Sequence, residues 1–360
     1  MERLKGLLAA VKVWVEAHAL GVGTAGLAAL LVGGGVGIAG LTSGGGTTTA
    51  TTGGNVAPST VTTQTSDATS GSTIDTIDPG AVSGDGSPLI AVRIDNAPEA
   101  RPQMGIADAS LIVETPVEGG MTRFTAFFPA GAETVVVGPV RSLRPVDADL
   151  IAPFATTVAA TGGQPFVLQG FDGAGIAMAL PDTAPGFTAL ERPAPHNLFV
   201  RLSEIESVYP PRAVDEPGMP EGEFTGGAAA ETVTVPLASE VTWQYSESGY
   251  ARSEAGQSFE ILDEPDGDVS QFVVDTVVVM FAAERSAGYS DSNDVDVPTF
   301  DVIGSGRLLV FHGGEVVAGT WFRSAQEDAY RFVAENGSEL GIPAGRTHLM
   351  VVPRELELDY

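Results

Sequence analysis

The chain has 360 residues, enough for two folded units, and an apolar fraction of 43% that can fill sizeable cores. Its formal net charge is −28, and both lysines, Lys5 and Lys12, lie in the first dozen residues; such a body repels phosphate backbones and argues against nucleic-acid binding. The absence of cysteine excludes disulfides, thiolate metal sites, a cysteine nucleophile and a lipidated N-terminal cysteine.

Residues 1–18 place Leu4, Leu7, Leu8, Val11, Trp14 and Val15 near helical spacing and carry Arg3, Lys5 and Lys12. Residues 19–41 are then free of charge. As a helix they would rise about 34 Å, enough to cross a hydrocarbon core of roughly 30 Å. Basic residues only upstream predict a cytoplasmic N-terminus and an extracytoplasmic remainder, a single-pass cell-membrane protein anchored by this helix. The run is also longer than the apolar core of a cleavable signal peptide. Residues 42–87 are dominated by Ser, Thr and Gly, and predict a disordered tether because they cannot bury enough surface to offset their ordering entropy.

From Pro88 the composition changes. PLIAVRIDN, ASLIVETPVE and TRFTAFF read as strands, the last two separated by Gly119-Gly120, and ETVVVGPV as a short strand buried on both faces. Residues 145–160 are the best helical candidate, with Asp147 in the first turn. Residues 88–213 therefore predict a mixed α/β first domain. The Pro/Gly/Glu-rich stretch 214–230 reads as a linker, and 231–360 as a mostly β second domain with a hairpin turn at His312-Gly313-Gly314-Glu315. The predicted fold class is thus α+β, with an N-terminal transmembrane helix and a disordered tether.

Several blocks of the first part, IDNAPEARPQMGIADASLIVE (94–114), VEGGMTRFTAFF (117–128), GPVRSLRPVD (138–147) and RPAPHNLF (192–199), resemble the YerB-like lipoproteins, a family with a two-part domain of unknown function (family 3048). The second part is similar to that family's C-terminal domain through GSGRLLVFHGGEVVAGTW (304–321) and GRTHLMVVP (345–353). Members often carry a lipid-anchoring cysteine. This chain has none, so the resemblance implies an envelope location and a fold, with the transmembrane helix in place of the lipid. It implies no chemistry residue by residue.

Polar residues inside or beside the apolar strands are the candidate ligand-binding set: Asp95, Asn96, Gln103, Glu114, Glu118, Arg123, Arg141, Arg144, His196 and Asn197. Arginine forks with Asp, Asn and Gln suit carboxylate- or hydroxyl-rich ligands such as cell-wall glycan or peptide. The same residues could instead pair among themselves as an ion network in which Arg123, Arg141 and Arg144 share Glu114, Glu118, Asp95 and Asp147. Glu114 and Glu118 would face one side of a regular strand, about 13 Å apart, which fits neither spacing of a glycosidase pair. No G-x-S-x-G elbow, phosphate loop, calcium loop or metal-ligand spacing is present, so no metal or cofactor is expected. The leading reading is a membrane-anchored extracytoplasmic binding or accessory protein whose partners are cell-wall glycan or peptide or an envelope protein. The alternative is a cell-wall hydrolase using the first-domain carboxylates.

Overall fold

The computed structural model describes residues 88–131, 136–264 and 267–360. The large apolar runs become one mixed sheet of twelve strands among these residues. They are β1 (Leu89–Asp95), β2 (Leu111–Pro116), β3 (Thr122–Pro129), β4 (Ala155–Ala159), β5 (Ala177–Ala179), β6 (Ala228–Ala229), β7 (Thr276–Ser290), β8 (Asp296–Asp301), β9 (Gly304–His312), β10 (Glu315–Arg323), β11 (Arg331–Ala334) and β12 (Thr347–Pro353). Their order is β6-β10-β9-β7-β12-β2-β3-β1-β4-β5, with β8 added to β7 and β11 to β10. The last strand, β12, lies in the middle, parallel to both β7 and β2. Residues from both halves of the chain are therefore hydrogen-bonded in one sheet.

Both faces of this sheet are covered, which explains why its strands read as nearly continuous apolar runs. Alternate residues go to separate cores. Ile90, Val92, Ile112, Phe124, Val277, Val279 and Met350 pack on one face, against a smaller five-stranded sheet that includes Thr232–Val235, Val241–Ser246 and Gly249–Glu254. Leu89, Ala91, Leu111, Val113, Val278, Met280 and Leu349 pack on the other, against the helices α1 (Pro145–Ile151) and α2 (Pro165–Gly173). A third short helix, α3, spans Leu202–Glu206.

Three expectations need correction here. The fold class is mostly β rather than α+β, because the α-helices among the described residues are only five to nine residues long and the strands carry the architecture. The helix expected over 145–160 stops at Ile151, and Thr156, Thr157 and Val158 continue instead as β4, parallel to β1. β-branched side chains suit that pleated, buried position better than a helix. The N-terminal transmembrane helix is also unsupported: no helix among the described residues is long and apolar enough to cross a membrane. The segment 19–41 assigned to it, like the tether at 42–87, lies outside the described residues.

The turn expected at residues 312–315 is present: β9 ends at His312, β10 begins at Glu315, and Gly313 and Gly314 take positive φ as such a two-residue hairpin turn requires.

Candidate functional site: an arginine-lined groove

The period of two separates the candidate carboxylates. Glu114, in β2, shares a face with Ile112 and enters the first core, where both its oxygens are occupied. Arg252 binds it bidentately at 2.7 and 2.9 Å, Thr122 donates to Oε1 at 2.7 Å, and Nε2 of His348 lies 2.8 Å from Oε2. Arg252 also reaches Glu254, which pairs with Arg101. The guanidinium of Arg252 lies over the rings of Phe259, Phe124 and Trp243. Burial alone would raise the Glu114 pKa. The charge and hydrogen bonds of Arg252, with the hydrogen bond of His348, outweigh it and hold the carboxyl well below the usual range. Burial pushes His348 down, only partly opposed by Glu114, so the imidazole is neutral and donates from Nε2.

Glu118 goes to the opposite side. β2 ends at Pro116, and the turn Glu118–Gly120, with Gly119 and Gly120 both at positive φ, reverses the chain before β3. The even spacing of Glu114 and Glu118 therefore does not place them on one face, which corrects the regular-strand expectation. Glu118 bonds Arg144 through both oxygens and Arg123 at 3.2 Å. Arg123 also donates to the Ser142 carbonyl at 3.0 Å. Arg141 meets Asp95 through Nε at 2.9 Å, and its two Nη atoms have no protein partner among the described residues. Behind these, fully buried Arg93 pairs with Asp147 at 3.1 Å and donates to Thr125 and Thr115. Asp147 also accepts from the backbone N–H of Arg144 at 2.6 Å, fixing the start of α1.

Glu118, Arg123, Arg141 and Arg144 line an open groove of about 440 Å³. Gly163 and Gln164 before α2 form one side, and the β7–β8 hairpin closes the other with Tyr289, Asp291, Ser292 and Asn293. The electrostatics are uneven. Burial would raise Glu118, but the hydrogen bond from Arg144 and the charges of Arg123 and Arg144 bring it to about 2. Burial and then the charges of Arg144 and Arg93 lower Arg123 to about 9, with Glu118 only partly offsetting them. An arginine keeps its proton in a protein, so this value expresses first the cost of burying the Arg123 charge and second the neighbouring guanidinium groups.

The remaining candidates divide between the two sites. Asp95 braces Arg141 and also meets His196 Nδ1 at 2.7 Å. Gln103 donates to the Asp95 carbonyl and to Asn96, and Asn96 donates to Thr122 and Glu254, on the Glu114 side. Asn197 gives its backbone carbonyl to Leu190. Of the expected network, Glu118 and Asp95 do meet the three arginines, whereas Glu114 and Asp147 pair with Arg252 and Arg93 instead. Sequence reasoning did not single out Arg93, Arg252, His348, Tyr289, Gln164 or Asn293 as site residues. The visible signal was a cation within an otherwise strand-like run, as in AVRID, GYARSE and THLMVV.

The N-terminal domain of the family described as protein of unknown function (DUF3048) matches residues 79–215, and its C-terminal domain matches residues 232–349. The "Putative lipoprotein YerB" of Bacillus subtilis (strain 168) is 46% identical over 55 residues, which span 15% of this chain and 16% of the relative. The crystal structure of the YerB protein from Bacillus subtilis is similar with a TM-score of 0.61 at 21% identity, covering 76% of this chain and 94% of that one. At that identity the likeness is one of fold. The single-pass localisation is corrected on two findings: no described helix is long and apolar enough to span a membrane, and the Bacillus relative is named as a lipoprotein.

Proposed function

We infer, for a chain that belongs to the DUF3048 family in both of that family's domains, that it is an envelope-associated binding protein whose ligand presents an anionic group to Arg123, Arg141 and Arg144. The lipoprotein name of the Bacillus relative supports the envelope assignment. One observation carries the binding assignment: three guanidinium groups converge on an open groove, two share Glu118, and the Nη atoms of Arg141 have no protein partner among the described residues. Guanidinium forks of this kind match carboxylate and phosphate oxygens in geometry as well as charge. Wall glycan and wall peptide both carry carboxylates. The hydrolase alternative gains no support, since Glu114 is sealed in the core with both oxygens bonded and Glu118 is held ionised by two arginines.

Thermal unfolding of the full chain in citrate and in chloride at matched ionic strength tests the reading. A ligand that binds the folded state stabilises it by RT ln(1 + [L]/Kd), about 2.7 kcal/mol at a hundredfold excess over Kd. Citrate also stabilises proteins by exclusion from their surface, so the comparison is with Arg141→Gln. The wild type should gain more from citrate than the variant does. Equal gains would refute the assignment.

A further inference from the structure

The groove is much larger than a single anionic group requires. Its volume of about 440 Å³ falls within the roughly 300–1,000 Å³ of small-molecule sites, and its two ends differ in chemistry. The arginine end offers guanidinium donors, with the Glu118 carboxylate already engaged by two of them. The hairpin end offers Asp291, Ser292 and Asn293, and the α2 side offers Gln164, a mixture of donors and acceptors. Asp291 already accepts from the Asn293 and Val295 N–H groups and from the Asn293 amide, so this end is a built turn.

The charge balance restricts the ligand further. Within the groove or directly behind it, Arg93, Arg123, Arg141 and Arg144 stand against Asp95, Glu118, Asp147 and Asp291. Such a site has unfilled arginine donors at one end but no surplus field to neutralise a chain of phosphates, and Asp291 would repel one. One carboxylate with hydroxyls around it fits better.

Tyr289 lines the groove, and Phe166, at the start of α2, meets its ring edge-on at a centroid distance of 5.1 Å. Phe166 is 48% exposed, and Met121 on the groove's wall is 38% exposed. A large apolar side chain left open beside placed polar groups is a feature of a ligand site, and an aromatic face accommodates the C–H face of a sugar ring.

Resting on the anion reading above, we propose that the ligand is a monocarboxylated saccharide, with its carboxylate on Arg141 and Arg123, its ring against Tyr289 and Phe166, and its hydroxyls toward Gln164 and Asn293. The binding is non-covalent.

Calorimetric titration of the full chain with three probes tests this: N-acetylmuramic acid, N-acetylglucosamine, which lacks the lactyl carboxylate, and lactate, which lacks the sugar. N-acetylmuramic acid should bind at least about tenfold more tightly than either of the others, a factor worth about 1.4 kcal/mol. Phe166→Ser and Tyr289→Ala should each weaken that binding several-fold, and Phe166→Ser, which lies outside the groove lining, should leave the citrate effect in place. Phe166→Ser alters an exposed side chain, so it remains informative if Tyr289→Ala folds poorly. Lactate binding as tightly as N-acetylmuramic acid would overturn the saccharide assignment and leave the anion reading standing. In a fourth titration, pyrophosphate binding more tightly than all three would overturn it in favour of a phosphate ligand. N-acetylglucosamine binding as tightly as N-acetylmuramic acid, or no binding by any probe, would overturn the monocarboxylated-saccharide assignment, and the absence of a citrate effect as well would overturn the anion reading with it.

Discussion

Glu114 and Glu118 are four residues apart, the first paired with one arginine and the second with two, yet they serve opposite faces of the sheet. On one face, Glu114, Arg252, His348 and Thr122 form a closed set surrounded by Phe124, Trp243 and Phe259. On the other, one carboxylate serves two arginines beside a third whose terminal nitrogens face an open groove. Composition does not distinguish the two. Charge pairing and access do: a set whose charges are answered inside a core holds the fold together, while guanidinium donors at an opening can bind something else.

The comparison breaks most readily at Glu114. Glu114→Gln leaves the Arg252 charge with Glu254 alone in an apolar surrounding and should cost about 3–5 kcal/mol, read from denaturant unfolding. A cost under about 1 kcal/mol would mean that the set is not structural. Glu118→Gln should cost less, about 1–3 kcal/mol, because water in the groove can reach Arg144.

Acid should act on His348 and on Glu118 in different windows. The folded state keeps His348 neutral below its ordinary pKa of 6.5, so the unfolded chain takes up the proton first and stability falls as pH drops below that value. The loss between pH 7 and pH 5 is at most about 2 kcal/mol for one such group, and should vanish in His348→Gln. Glu118 is depressed from 4.5 to about 2, so its contribution is complete above about pH 4.5 and is lost as pH falls towards 2. Unfolding midpoints across pH 2–7 for wild type, His348→Gln and Glu118→Gln would separate the two windows. A pH 5–7 slope unchanged in His348→Gln would contradict the neutral histidine. The smallest stability effect is expected at Arg141, whose side chain is 22% exposed and whose partner Asp95 keeps His196 and the Ala97 N–H: under about 1 kcal/mol for Arg141→Gln.

The strands were the most legible part of the sequence. Val, Ile and Phe runs such as LIAVRID, TRFTAFF and TVVVMF announce buried β structure, and the paired glycines at 313–314 announce their hairpin. The helical share was overestimated because residues 145–160 begin with a proline and a capping aspartate and then pass into β-branched residues without a break in apolar character. The arginine cluster was legible as composition, but its division between faces depends on the turn at Gly119–Gly120. The partners of Glu114 were not legible, since Arg252 and His348 lie 138 and 234 residues away and only the sheet order brings them together.

The most direct test of the division between a structural and a binding cluster is to measure stability and citrate binding together in Glu114→Gln and Arg141→Gln. Glu114→Gln should lose at least about 3 kcal/mol and retain the citrate effect at temperatures where it is folded. Arg141→Gln should keep its stability within about 1 kcal/mol and lose the effect. A stable Glu114→Gln that no longer binds citrate, or an Arg141→Gln that binds it as the wild type does, would contradict the account.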